Sequence, residues 1–148
     1  MPKVAPSNRT DYAAEVALTT RWDDNDIYGH LNNTVHYRLF DTAVNGLLIA
    51  RAGFDPLTSE VIGVVAESGC LYHAELRFPQ TIFAGVRVAQ IGRTSVRYEI
   101  GLFSDDSAKA AADGYFVHVF VSRETRRPKP LPDWLRLGLQ SIGILGNS

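Results

Sequence analysis

Apolar and polar positions alternate along "AEVALTTRW" (14–22), which sets Val16, Leu18, Thr20 and Trp22 on one face and Ala17, Thr19 and Arg21 on the other. A period of two predicts a strand. The next eleven residues, "DDNDIYGHLNN" (23–33), are turn formers without a period and predict a loop. From Thr34 the spacing turns helical. Val35, Leu39, Ala43, Leu47 and Ala50 mark one stripe, and Phe40, Val44, Leu48 and Ile49 widen it until little of the helix is polar. Gly53 followed by Pro56 predicts its end. A helix this apolar is expected to be covered on most sides and to form the core element. Gly46 lies inside the stretch, where glycine costs about 1 kcal/mol, and so predicts close packing.

After a loop at 54–60 the pattern is β-like to about residue 124. "VIGVVAESGCLYHAEL" (61–76) and "GVRVAQIG" (85–92) are long runs, while "TSVRYEIGLFS" (94–104) and "DGYFVHVFVSRE" (113–124) alternate. Residues 91–95 and 104–109 predict hairpin connections. The prolines of "TRRPKPLPDW" (125–134) cannot donate to a ladder and end the sheet. A short helix from about Asp133, with Leu135 and Leu139 on one side, closes the chain. The predicted class is α+β: a curved antiparallel sheet folded around one long helix, in a single domain spanning 1–148. Residues 1–10 and 141–148 are expected to be loose. Exposed edge strands predict a homodimer, with pairing of dimers into tetramers left open.

Composition changes this picture little. With 15 basic and 16 acidic residues the net charge is -1, so no global field favours nucleic acid or an anionic membrane. The one cysteine, Cys70, excludes an internal disulfide and a multi-cysteine zinc site. It is expected to be a buried small side chain. There is no apolar leader and no run of about 18 apolar residues, which predicts a soluble, cytoplasmic protein.

The chemistry concentrates in the 23–33 loop. A calcium loop counted from Asp24 would put Tyr28 and Val35 where oxygen ligands are needed, and the four histidines lack paired helical spacing, so no metal is expected. On residue types alone, Asp26 reads either as a turn aspartate or as a carboxylate aimed by the helix start, where unpaired N–H groups and the helix dipole gather. Asp23 and Asp24 read as turn and solvent aspartates, with Asp24 able to shape the loop.

The segment "RWDDNDIYGHLNN" (21–33) resembles the pattern Arg-Tyr/Trp-x-Asp-x-Asp-x-x-Gly-His-Val/Leu-Asn-Asn of hotdog-fold acyl-CoA thioesterases of the 4-hydroxybenzoyl-CoA thioesterase type. The likeness continues over roughly residues 12–140. It implies hydrolysis of a fatty or aromatic acyl-CoA to free acid and coenzyme A, at sites on a dimer interface, with neither metal nor bound cofactor. It implies that Asp26 is the catalytic carboxylate and that the Asn33 N–H polarises the thioester carbonyl, and it matches the family's His-x-Asn-Asn segment to His30, Asn32 and Asn33. Two positions depart from the family: His36 stands where tyrosine is common, and Ala84–Gly85 where Gly-Asp is common.

On this reading Asp26 attacks the carbonyl or deprotonates water, and the N–H of Asn33, joined by that of Thr34, holds the oxyanion. Gly29 lets the loop backbone approach the substrate, and Asn32 or Asn33 caps the helix. His30 is a candidate for a catalytic part. Glu67 is either a solvated strand residue or a substrate contact reaching the partner's site. Arg87, Arg93, Arg97, Arg123, Arg126 and Arg127 are candidates for the coenzyme A phosphates, with "RETRRPK" (123–129) the best patch. Two alternatives stand beside this. One is a non-catalytic acyl-CoA-binding module. The other is a hotdog hydratase or dehydratase, whose Asp-x-Asn-Pro-x-His pattern lacks its proline and histidine here.

Overall fold

The computed structural model describes residues 4–143. Strands β1 (Ala14–Leu18), β2 (Val61–Tyr72), β3 (Ile82–Ile91), β4 (Ser95–Phe103) and β5 (Ala112–Ser122) form one antiparallel sheet in the order β1-β3-β4-β5-β2. Helices α1 (Val35–Ala52) and α2 (Asp133–Ile142) pack with it. Alternation decides which side faces in. Val96, Tyr98, Ile100 and Leu102 of β4 are buried, as are Gly114, Phe116, His118 and Phe120 of β5. They share one core with Leu39, Phe40, Ala43, Val44, Leu47 and Leu48 of α1. Gly114 is required there, because an added Cβ would come within 2.2 Å of the Phe40 ring. The sheet therefore packs around the long helix, as the alternating pattern and the resemblance both imply.

Several boundaries differ from the sequence reading, each for a local reason. β1 stops at Leu18, and Trp22 is 84% exposed instead of sharing its buried face. A 3-10 turn over Trp22–Asp24 takes the backbone there, with the Asp24 N–H donating to Arg21 O and the Arg21 N–H to Asp24 Oδ2. β2 ends at Tyr72, four residues early, because the His73 and Ala74 N–H groups both turn to Ala111 O. β3 begins earlier than expected, at Ile82. Helix α1 ends as predicted, with Gly53 left-handed at φ 68° and the Phe54 N–H closing on Leu48 O.

The helix is less enclosed than its composition implies. Tyr37, Gly46, Ile49 and Ala50 lie on an exposed outer face, and a Cβ added at Gly46 would meet nothing within 4 Å. The expectation of close packing at Gly46 is thus overturned. The tightly packed helical glycine is Gly138 of α2, where a Cβ would lie 2.1 Å from Ala52 Cβ. The inner part of each segment expected to be loose is tied down. The Arg9 N–H donates to Ala108 O and the Ala110 N–H to Ser7 O, both at 2.9 Å, and Ile142 is fully buried. The remainder of that expectation, at 1–3 and 144–148, lies outside the described residues. Among the described residues no helix is long and apolar enough to cross a membrane.

Candidate active site

Of the three aspartates in the loop between β1 and α1, Asp23 is exposed, as expected, while Asp24 and Asp26 have opposite surroundings. Asp24 is buried and takes the Arg38 guanidinium at 2.6 Å and the Arg21 N–H at 2.8 Å. Burial pushes its pKa up, but the Arg21 amide and the Arg38 guanidinium prevail and hold the carboxyl below its ordinary range. Its carbonyl accepts the Asn32 N–H at 3.0 Å. Asp24 is therefore no solvent aspartate: it fastens both ends of the loop to α1.

Asp26 is only half-buried. Its Oδ1 accepts the Tyr28 N–H at 2.9 Å, its carbonyl accepts the Gly29 N–H at 3.1 Å, and its N–H donates to His30 O. Its Oδ2 has no hydrogen-bond partner among the described residues. This is an Asx-turn, and it needs Gly29 for its left-handed φ of 87° and not for lack of room, since an added Cβ would meet nothing within 4 Å.

Residues 32–34 lead into the helix. The Asn32 side chain accepts the Thr34 N–H at 3.0 Å and its hydroxyl at 2.8 Å. The expected second oxyanion donor, the Thr34 N–H, is thus already engaged by a neighbouring Asx-turn. The Asn33 N–H makes no hydrogen bond among the described residues, while its carbonyl accepts the Tyr72 hydroxyl at 2.8 Å. Asn33 stands two residues before the first residue of α1, on the approach to the helix and not inside it.

A cavity of about 470 Å³ joins these parts; Asp26, Tyr28, His30 and Asn33 border it, together with His36, Tyr72, His73 and Glu75. His30 contacts Leu31 O through Nδ1 at 3.3 Å, and its Nε2 is 3.9 Å from Glu75. His36 is buried, with its ring edge-on to Tyr72 at 4.7 Å. Burial lowers its pKa, against the pull of the Asn32 and Asn33 carbonyls, and Nδ1 has no partner in hydrogen-bonding geometry among the described residues. Tyr72, His73 and Glu75 were not singled out from the sequence. The one visible signal was a polar-aromatic ending, "YHAE", to an apolar run.

Other candidates lie elsewhere. Gly29, Asn32 and Thr34 shape the loop rim and are exposed. Glu67 is exposed at the β2 bulge and sets up the Tyr115 hydroxyl, raising its pKa, outside this cavity within one chain. Arg87 pairs with Glu99 at 2.9 Å, Arg97 stacks over Tyr115 at 4.0 Å, and Arg123 donates to the Ser59 and Pro56 carbonyls. Arg93, Arg126 and Arg127 remain exposed. Cys70 is half-buried, and burial pushes its thiol up to about 11. Among the described residues no cluster of His, Cys, Asp and Glu could hold a metal ion.

The chain is 46% identical to the PA5185 protein of Pseudomonas aeruginosa, with a TM-score of 0.92 over 96% of this chain and 99% of that one. The PA2801 protein of the same organism, a proposed thioesterase, is 25% identical, with a TM-score of 0.77 over 82% of this chain and 94% of that one. A 1,4-dihydroxy-2-naphthoyl-CoA thioesterase from Synechocystis shares the fold at 12% identity, with a TM-score of 0.78 over 86% of this chain and 96% of that one. No curated protein sequence matches the chain. The thioesterase-like superfamily profile matches residues 20–139. With its five-stranded antiparallel sheet and long helix, this hotdog chain belongs to the thioesterase-like superfamily.

Proposed function

We propose that the protein hydrolyses an acyl-CoA thioester to the free acid and coenzyme A. One observation carries the reading: Asp26 and Asn33 border a single cavity, the first with an unengaged carboxylate oxygen and the second with an unengaged N–H. A thioester needs no strong acid to release its thiolate. It needs an oxygen nucleophile and a donor where the carbonyl oxygen becomes negative. The Asn33 N–H suits the second task, and one such donor typically contributes about 10²–10³ in turnover. Asp26 suits the first by either of two routes. Oδ2 attacks the carbonyl carbon and the C–S bond breaks, leaving an anhydride that water reopens to restore the carboxylate. Otherwise the carboxylate takes a proton from water, which attacks in its place.

The exposed middle of β2, with Val64 and Val65 about half exposed, supports a homodimer built on this edge. Glu67 does not border the Asp26–Asn33 cavity of its own chain and would meet the partner's only across such an interface. The opposing reading, a binding module without chemistry, draws on the Asx-turn, because Oδ1 does what a plain turn aspartate does.

Asp26→Asn separates the two, since the amide oxygen keeps the turn bond while the nucleophile is lost. With a panel of acyl-CoAs and a thiol-detecting dye, the parent should release thiol from at least one chain type. The variant should be slower by ~10² or more with an unchanged melting temperature. Equal rates would remove Asp26 from the chemistry.

A further inference from the structure

Where β2 runs out, the His73 ring stands between the cavity and a carboxylate. Its Nε2 lies 3.0 Å from Asp113 Oδ2. That same oxygen receives the Ser7 backbone N–H at 2.9 Å, and Oδ1 bonds the Ser7 hydroxyl with the Tyr12 hydroxyl 3.4 Å away. A backbone N–H can only donate, and an ionised carboxylate can only accept. Nε2 therefore carries the ring proton, and in the neutral ring Nδ1 presents a lone pair. Nδ1 has no partner among the described residues, and His73, whose side chain is 10% exposed, borders the same cavity as Asp26 and Asn33. The backbone fixes the ring's base as well, through the His73 N–H to Ala111 O at 2.8 Å. The N-terminal arm, the end of β2 and the start of β5 thus converge to set one tautomer of one histidine.

An acceptor at this place has a use if the site takes coenzyme A thioesters, the reading on which this inference rests. The thiol arm of coenzyme A carries an amide N–H two carbons from the sulfur. With the thioester carbonyl at the Asn33 N–H, that amide must enter the same cavity or its mouth. An amide donor taken from water without an acceptor costs affinity. We propose that His73 Nδ1 receives this amide N–H, so that His73, oriented by Asp113, is a substrate-positioning residue selecting thioesters of amide-bearing thiols.

The test joins the acyl group cleaved fastest in the acyl-CoA panel to two thiols, N-acetylcysteamine, which has the amide, and butanethiol, which lacks it. The parent should prefer the amide-bearing thioester by ~10-fold in kcat/KM, chiefly through KM. His73→Phe keeps a ring of similar size without nitrogens. It should abolish the preference while leaving the butanethiol ester within about 2-fold of the parent. His73→Ala carries the same expectation should the phenylalanine variant not fold. A parent without preference overturns the proposal, as does a variant that slows both esters alike. Activity is not the only readout: calorimetry with the S-butyl thioether of N-acetylcysteamine measures the contact without turnover. A parent that releases no thiol from any member of the acyl-CoA panel fails the hydrolase reading, and equal affinity of parent and variant for the thioether overturns the His73 assignment separately. Weaker binding by the variant upholds it.

Discussion

At its C-terminal end α1 is closed off: α2 lies so near that Gly138 has no room for a Cβ beside Ala52, and Leu135, Leu139 and Ile142 are wholly buried. At its N-terminal end the helix opens onto a loop whose Trp22, Ile27 and Tyr28 are at least 79% exposed, beside a cavity. The contrast shows how one helix serves two purposes. Packing fixes its position from the closed end, so the open end can spare polar groups for work without losing its place.

The same contrast holds for the four histidines. In the closed half, His118 sits among Tyr98, Phe116 and Phe120, four residues along β5 from the Gly114 that receives Phe40. Its Nδ1 lies 3.3 Å from the Tyr98 hydroxyl, burial lowers its pKa to about 4, and the residue is 2% exposed. In the open half, His30, His36 and His73 all border the cavity. A histidine by itself therefore does not mark the candidate site; access to the cavity separates these three from His118.

The comparison can be broken most severely at the closed end. Gly138→Val drives a side chain into the α1 backbone, and overpacking of this kind should cost ~3 kcal/mol or more. The melting temperature should fall by about 6–12 °C. A variant as stable as the parent would mean that α2 does not hold the helix.

The buried histidine predicts an acid limb. His118 has a folded pKa of about 4 against 6.5 for an ordinary histidine, so below pH 6.5 the unfolded chain binds more protons. The stability due to its neutral form is complete above pH 6.5 and lost as the pH falls through 4. The limit is up to ~3 kcal/mol. Urea midpoints taken across this window should decline in the parent and flatten in His118→Leu.

On the proposed function, Asp24 serves structure and Asp26 chemistry. Asp24→Asn removes the charge that faces Arg38 and Arg21, and should cost about 2 kcal/mol, less than a fully buried pair because both arginines are partly exposed. It should lower both melting temperature and turnover. Asp26→Asn, by contrast, should lower turnover alone. Matching profiles for the two variants would erase the distinction between them.

The smallest effect belongs to the exposed face. Gly46→Ala has open space and a helical backbone, and should raise stability by roughly 0.5–1 kcal/mol. A loss, seen together with dissociation in light scattering, would place Gly46 in contact with a second copy.

Periodicity alone distinguished the long helix from the sheet, because the spacing of Leu39, Ala43 and Leu47 differs in kind from that of Val96, Tyr98 and Ile100. It also marked Gly53 as the helix end, a place where a left-handed residue is needed locally. The crowded loop stood out for similar reasons, since Asx-turns and caps depend on near neighbours and are written in short segments. What tertiary structure decided were relations between distant segments. Asp24 and Asp26 are alike in sequence, and only the arrival of Arg38 from the helix buries one of them. Gly46 and Gly138 both interrupt helices, and only the meeting of α1 and α2 shows which is packed. His73 and Asp113 are separated by 40 positions and become a pair only when β2 and β5 align. Local chemistry is legible along a chain because its partners are neighbours, whereas a cavity wall exists only after the chain has closed on itself.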